Sequence, residues 1–378
     1  MKKKKTGALD HSLLISVIFL LLFGLIMVYS ASSYEASVNA NIKDSTYYLN
    51  SQLRATLIGF AFMMVISYVD YHFFKKTAIM AYVGACGLII LVLSPLGITR
   101  NGARRWLNLG LSLQPAEVAK LAAIIFFATL VCSKKYDITK DLWGIVKCLA
   151  LAALPTGLIF VITRNLSSAI IVFGIAYIML YVASPKSWYF VVAILIMLAI
   201  AAFFVYMVSS GTLTEEQSFR FVRIKAWLKP EAYSSGSGYQ TLQSLYSIGS
   251  GGIFGKGLGQ STQKLGFVPE AQNDMIFSII CEELGLFGAV AVIFMFVVLI
   301  WRLMVVANNA PDEYGAMLVV GVMAHIAIQV VLNIAVVTNT IPNTGITLPF
   351  ISYGGTSVLF LLIEIGIALN VSRHVNNT

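Results

Sequence analysis

GSGGIFGKGLGQSTQKLGFVPEAQNDMIFSIICEELGLFG, residues 249–288, is the stretch on which the reading of this chain turns. It begins in glycine, passes through a polar segment to Pro269, Glu270 and Asp274, and then enters an apolar helix that carries Glu282 and Glu283. A carboxylate at the mouth of a membrane-crossing helix is costly unless it is paired or used. The glycines invite comparison with a phosphate-binding P-loop around Gly255-Lys256-Gly257. That motif requires glycine where Ser250 stands and Ser or Thr where Gly257 stands. The stretch therefore reads as a mobile loop that delivers Asp274 to the top of a span. Glycines that allow close backbone approach remain the alternative use.

Composition supports the membrane reading. Of the 378 residues, 58% are hydrophobic and only 11% charged, with a mean hydropathy of +0.83. Soluble domains carry about 25% charged residues. The net charge of +9 is spread over short loops, which fits sorted membrane topology and gives no nucleic-acid footprint. Cys86, Cys132, Cys148 and Cys281 lie in or beside apolar runs, without metal-ligand spacing or the context of a disulfide framework. The apolar run after the initial MKKKK is longer than the core of a signal peptide and reads as a retained first helix.

Apolar segments near 12–31, 53–69, 77–96, 116–132, 145–163, 166–183, 187–208, 275–301, 315–338 and 355–371 are long enough to cross a bilayer. The expected fold is an all-α polytopic membrane protein of about ten transmembrane helices. It forms a single domain over 1–378, with both termini cytoplasmic and a large extracytoplasmic loop, about 209–274, between the seventh and eighth helices. In that topology Lys2 to Lys5, Lys75, Lys76, Lys134, Lys135, Lys140, Lys147, Lys186, Arg302 and Arg373 lie inside. Arg54, Arg100, Arg104, Arg105, Arg164, Arg220 and Arg223 lie outside, with some lysines. Total charge barely separates the faces; residue type does. Arginine forks bind phosphate in a bidentate way that lysine cannot reproduce. The outer set apart from Arg54 thus points to a phosphate-bearing ligand, with snorkelling to headgroups as the plainer account.

Within the outer loop, SFRFVRIKAWLK (218–229) is a basic amphipathic helix suited to the interface, and YQTLQSLYSI (239–248) a second short helix. Glu117 and Lys120 stand at i,i+3 near the start of the fourth span, as a mutual ion pair or as part of an outward-opening polar cavity. His325, Gln329 and Asn333 share one face of the ninth span, where interhelical hydrogen bonding is the preferred account. The Pro- and Gly-broken stretch 341–357 is expected to line the same cavity. Asp274 itself is open to two readings, an N-cap of the following helix or a functional carboxylate.

Three blocks carry a resemblance: RRWLNLGLSLQPAEVAKL (104–121), GFVPEAQNDMIFSIICEELGLFG (266–288) and NTGITLPFISYGGTS (343–357). In this order, on about ten spans, they resemble the signature blocks of the SEDS family (shape, elongation, division and sporulation proteins), and within it the division branch more than the elongation branch. The resemblance implies a peptidoglycan glycosyltransferase that polymerises lipid II on the outer face of the bacterial cytoplasmic membrane, at the division septum. The implied partners are a class B penicillin-binding protein and divisome membrane proteins, and the implied substrates lipid II and the undecaprenyl-pyrophosphate-linked glycan. The family's essential aspartate falls on Asp274, its Glu-x-x-Lys pair on Glu117 and Lys120, and its loop arginine on Arg105. Arg100, Arg104, Arg164, Arg220 and Arg223 are expected to join Arg105 at the pyrophosphate. Glu270, Gln272, Asn273, Ser352, Gly354 and Thr356 are expected to line the cavity. No dedicated metal cage is visible, although a divalent cation (Mg or Mn) could assist the leaving group; no organic cofactor is implied. Many members have His-Thr where this chain has Gln272-Asn273, so no imidazole role is carried over. A lipid II flippase remains the rival, because a polar cavity and a broken helix would serve it too.

Overall fold

The computed structural model describes residues 9–40, 42–100, 102–108, 112–133, 142–210, 219–236 and 238–375; the side chains of Arg100, Phe219 and Arg220 lie outside the description. Lys2 to Lys5, Lys134, Lys135 and Lys140 are likewise outside the described residues.

The ten long helices are α1 (His11–Val38), α2 (Tyr47–Ile66), α3 (His72–Leu91), α4 (Pro115–Val131), α5 (Leu142–Ile162), α6 (Leu166–Ala183), α7 (Trp188–Ser209), α10 (Ile276–Asn308), α11 (Glu313–Val337) and α12 (Gly355–Arg373). Two short helices, α8 (Phe219–Leu228) and α9 (Tyr239–Gly251), lie between α7 and α10. Nine of the described helices are long and apolar enough to cross a membrane. At 17 residues α4 is just long enough for the same role, and it packs within the bundle against α3, α6 and α11. The protein is a polytopic helical membrane protein. Its apolar core runs the length of the bundle through Met27, Met63, Phe127, Phe296 and Ile365.

The helix bounds depart from hydropathy in an instructive way. α3 begins at His72 rather than near 77, and α2 at Tyr47 rather than near 53, because their first turns are polar. α10 continues past 301 to Asn308, and Arg302 within it meets Asp10 at 2.6 Å. Asp10 also caps α1 by accepting from the Leu13 amide at 2.9 Å, and its own amide donates to Ser372 Oγ. The start of α1 and the end of α12 therefore meet at one end of the bundle.

One element lies outside an all-α reading. β1 (Gly97–Arg100), β2 (Ala103–Asn108) and β3 (Ser112–Leu113) form a small antiparallel sheet between α3 and α4. Arg100 pairs with Ala103 across Asn101-Gly102, a dipeptide that favours tight hairpins, and Gly102 has φ +72°.

The decisive feature is a break in α10. Gly285 adopts φ 66°, ψ −164° inside the helix, so the usual ladder is interrupted. The glycine loop enters the gap. Lys256 and Gly257 donate their amides to the carbonyls of Glu282 and Glu283, each at 2.9 Å, while Leu286 and Phe287 donate to Gly252 at 3.0 Å and Ile253 at 3.3 Å. Such approach leaves no room for side chains. A Cβ on Gly255 would sit 2.3 Å from the Glu283 carbonyl oxygen, and one on Gly285 would sit 2.3 Å from the Gly255 nitrogen.

The two carboxylates beside the break complete the joint. Glu282, fully buried, accepts from Lys256 Nζ (2.6 Å), Ser247 Oγ (3.1 Å), the Thr262 amide (3.1 Å) and hydroxyl (3.0 Å), and Ser261 Oγ. Glu283 accepts from Lys264 Nζ at 2.8 Å and from Ser30 Oγ of α1 at 2.7 Å. Buried charges satisfied in this way are tolerated; unpaired they are not. The loop expected to be mobile is a fixed splint, because its glycines are used for backbone approach. Gly255→Ala is expected to lower stability by about 2–4 kcal/mol through left-handed strain and backbone collision. Gly249→Ala, inside α9 with nothing within 4 Å of its added Cβ, should stay within about 1 kcal/mol of the parent or gain stability. Thermal unfolding in detergent compares the two.

Candidate functional site

Asp274 ends the loop two residues before α10 begins. Its side chain caps nothing: α10 has no side-chain cap, and the carboxylate instead accepts from Gln240 Nε2 at 3.3 Å through Oδ1. Of the two readings open in the sequence, the cap is excluded. The backbone is fixed from the other side, where Asn333 Nδ2 of α11 donates to the Asp274 carbonyl at 2.9 Å and to the Ile346 carbonyl at 2.7 Å.

Burial dominates the electrostatics. Asp274 is 9% exposed, and loss of water pushes its carboxyl up to about 7, with the nearby Glu270 charge adding to the rise. A hydrogen bond from its own backbone amide, the Arg223 charge and the Gln240 hydrogen bond pull in the opposite direction. Arg223, on α8, also donates through Nη1 to the Asn343 carbonyl at 3.3 Å. Burial lowers its own proton affinity, while Asp274 restores part of it.

The cavity beside this carboxylate has a volume of about 240 Å³ and is lined by Arg223, Trp227, Tyr239, Gln240, Pro269 and Asn343, among others. Trp227 is fixed by donating its indole N–H to the Asn339 carbonyl at 2.9 Å. The residues expected to line a cavity lie around this one rather than in its wall. Glu270 is exposed at φ 55° and accepts from the Asn273 side chain. The Gln272 carbonyl takes the Tyr353 amide at 2.8 Å. Ser352 Oγ takes the Leu348 amide at 2.7 Å, and its carbonyl takes Gln52 Nε2 at 3.3 Å. Gly354 donates its amide to Gln52 Oε1 at 3.0 Å, and Thr356 donates its hydroxyl to the Ser112 carbonyl at 2.8 Å. These bonds knit the broken stretch before α12 to α2, the sheet and the aspartate loop.

The arginines separate into different uses. Arg104 folds back onto the carbonyls of Leu93, Ser94 and Gly97 at the end of α3. Arg105 donates to the carbonyls of Thr163 (3.2 Å) and Arg164 (3.1 Å), where α5 ends and a cation complements the helix dipole. Arg164 is exposed at φ 50°. The side chains of Arg100 and Arg220 lie outside the described residues. Of the described arginines in the set, Arg223 is the one that acts on Asp274. Glu117 and Lys120 form a buried ion pair at 2.8 Å near the start of α4. Neither is among the groups that shift Asp274.

Two residues carry weight that sequence reading did not give them. Gln240 holds the carboxylate, and its signal was the spacing of Gln240, Ser244 and Ser247 along one face of α9. Asn333 had been placed on a polar helix face without a target. Its neighbours on that face bond between segments as well: His325 Nδ1 meets Glu364 Oε2 at 2.7 Å, and Gln329 Nε2 donates to the Thr347 carbonyl at 3.0 Å.

Comparison with known proteins places this geometry. The family model described as cell cycle protein, covering FtsW, RodA and SpoVE, matches residues 11–377. Stage V sporulation protein E of Bacillus subtilis is 42% identical over 376 residues, 99% of each chain. A probable peptidoglycan glycosyltransferase FtsW of Trichlorobacter lovleyi is 37% identical over 365 residues, 96% of this chain and 93% of that one. Among solved structures, a chain from a peptidoglycan synthase complex that coordinates polymerization and crosslinking superposes with a TM-score of 0.79. It has 24% identity and covers 98% of this chain and 99% of its own, a likeness of fold.

The raised Asp274 carboxyl gives a pH signature with a definite sign. The folded chain holds this proton up to about 7, against 3.8 for the free group, so its contribution to stability declines as pH rises from about 4 through 7. Asp274→Asn removes that decline. The variant is expected to unfold at a temperature at least equal to the parent at pH 8, with a smaller drop between pH 5 and pH 8.

Proposed function

The chain belongs to the cell cycle protein family of FtsW, RodA and SpoVE, and from that premise we propose that it is a membrane-embedded peptidoglycan glycosyltransferase with Asp274 as general base. The observation that carries the reading is a buried carboxylate with a proton affinity near neutrality, held beside Arg223 at a cavity in the loop cluster. A base poised near the working pH is effective. Asp274 would take the proton of the 4-hydroxyl on the terminal sugar of an incoming lipid II. That oxygen attacks the anomeric carbon of the lipid-linked glycan, the bond from this carbon to the pyrophosphate oxygen breaks, and the electron pair leaves with the pyrophosphate. Attack from the opposite face inverts α to β.

Positive charge must meet the departing pyrophosphate. Arg223 is the placed candidate, and the outer arginines at 100 and 220 belong to the same proposal. The described residues gather no group of three or more His, Cys, Asp or Glu side chains that could hold a metal ion. The described residues thus do not fit a resident cation. A magnesium or manganese ion accompanying the pyrophosphate would be substrate-borne.

The wider placement follows the relatives. The chain is assigned to the bacterial cytoplasmic membrane, with both termini cytoplasmic and the loop cluster outside. A class B penicillin-binding protein is its crosslinking partner, as the structural neighbour from a polymerization and crosslinking complex supports. Action at the division septum with divisome proteins is our first assignment. The 42% identity to a sporulation protein favours a spore-envelope role as the second. Complementation of bacteria lacking FtsW, set against bacteria lacking the sporulation protein, separates these.

Within the spans, Glu117 faces Lys120 and His325 faces Glu364. The cavity beside Asp274 is instead walled by loops and short helices, which favours surface chemistry over a flippase with its site at the midplane. Purified chain with its partner should convert labelled lipid II into polymer, and Asp274→Ala should lose about 10²–10⁴-fold in rate. Undiminished polymerisation by that variant would refute the assignment. Lipid II crossing vesicles without polymer would favour the transporter.

A further inference from the structure

Asp274 has two carboxylate oxygens in different surroundings. Oδ1 accepts from Gln240. Oδ2 faces Gly345, an exposed residue on which an added Cβ would sit only 3.6 Å away, and the Gln240 side-chain hydrogen bond goes to Oδ1 and not to it. The amide of Gln240 cannot turn over freely, because its Oε1 accepts from Asn343 Nδ2 at 2.9 Å while its Nε2 also reaches the Pro269 carbonyl at 3.3 Å. Asn343 is held in turn: its carbonyl accepts from Arg223, and its Oδ1 accepts from the Gly345 amide at 3.1 Å.

The helix that presents Gln240 is itself pinned. One turn on, Ser244 Oγ donates to the Val337 carbonyl at 3.0 Å, and Ser247 Oγ reaches both the Ser278 carbonyl at 3.0 Å and Glu282. Gln240, Ser244 and Ser247 share one face at i, i+4 and i+7. α9 is thus fastened to α10 and α11 along the side that carries Gln240. A chain of contacts runs from Arg223 through Asn343 and Gln240 to a single oxygen of Asp274.

We propose that Gln240 is a positioning residue for glycosyl transfer: it occupies Oδ1 of Asp274 and leaves Oδ2, beside Gly345, as the atom that receives the acceptor proton. This rests on Asp274 being the base. A carboxylate free to rotate presents either oxygen in many orientations; one anchored through Oδ1 presents Oδ2 in one, and such orientation is worth rate. The Gln240 hydrogen bond also favours the ionised carboxylate, so its loss should raise the pH at which the base becomes available.

The test is the rate of labelled lipid II polymerisation by the full chain with its transpeptidase partner, measured across about pH 5 to 9. Gln240→Leu is expected to lower kcat about 10- to 100-fold with little change in KM. Its acid limb should move up by about one pH unit. Gln240→Glu keeps the side-chain volume and adds a charge beside Asp274. It should move the limb at least as far upward, and it serves as the reading if Gln240→Leu does not purify as folded protein. Asp274→Asn in the same series keeps the two ideas apart. If Asp274→Asn is inactive while Gln240→Leu or Gln240→Glu keeps the parental kcat and limb, the positioning role is overturned and the base stands. If Asp274→Asn polymerises at the parental rate, the base assignment falls, and the positioning role with it. A loss of kcat in Gln240→Leu with an unmoved limb would also overturn the proposal, because it would mark a purely structural residue.

Discussion

An interrupted helix must satisfy its backbone elsewhere, and in this protein that requirement organises one whole end of the bundle. Where α10 breaks at Gly285, two carbonyls and two amides lose their helical partners. In an apolar setting each unsatisfied group costs several kcal/mol. The glycine loop supplies all four partners, and Lys256 and Lys264 neutralise the two glutamates that flank the gap. Because the loop is held there, the segment that follows it is held too, and that segment ends in Asp274. The position of the carboxylate is thus a consequence of backbone pairing some ten residues away.

The electrostatics of the site follow from that placement. A carboxylate delivered by a rigid segment into a crevice between α9, α11 and the 343–348 loop loses most of its water. It gains hydrogen bonds from its own backbone amide and from Gln240, and one neighbouring guanidinium, not enough to restore an ordinary acidity. The other buried charges are arranged differently. Glu117 with Lys120, within α4, and His325 with Glu364, between α11 and α12, are close side-chain pairs. The contrast is between carboxylates that face a nitrogen partner at 2.7–2.8 Å and one whose side chain meets an amide at 3.3 Å.

Much of this was legible in the sequence, and the gaps have physical causes. Ten spans could be found because hydropathy reports membrane crossing directly, but the starts of α2 and α3 could not, since a polar first turn is invisible to it. The hairpin at 97–108 was hidden because its strands carry arginines that drew a phosphate reading. Arg104 and Arg105 show why charge alone misleads: a guanidinium donates as readily to carbonyls at helix ends as to phosphate. The glycines of 249–259 gave only permissiveness, which serves a flexible hinge and a tight backbone contact equally well. Which of the two applies depends on Gly285, thirty residues from Gly255, and periodicity does not join them. Asp274 could be singled out from its place before a span, but not separated from a cap until Gln240 and Asn333 were seen to hold it.

The splint at Gly285 also bears on which parts of the helix lipid can accept. Above the break, the short piece Ile276–Leu284 carries two glutamates and needs the loop to complete it; below, Leu286 to Asn308 is continuous and apolar. Hydrocarbon would accept the lower piece alone, whereas the open ladder at 282–287 cannot enter lipid unpartnered. The break is therefore tolerated only with the loop held against it, and the two pieces of α10 and the segment bearing Asp274 are fixed together as one unit. The fastener closes a loop of about thirty residues, and the entropy cost of such closure grows only slowly with loop length.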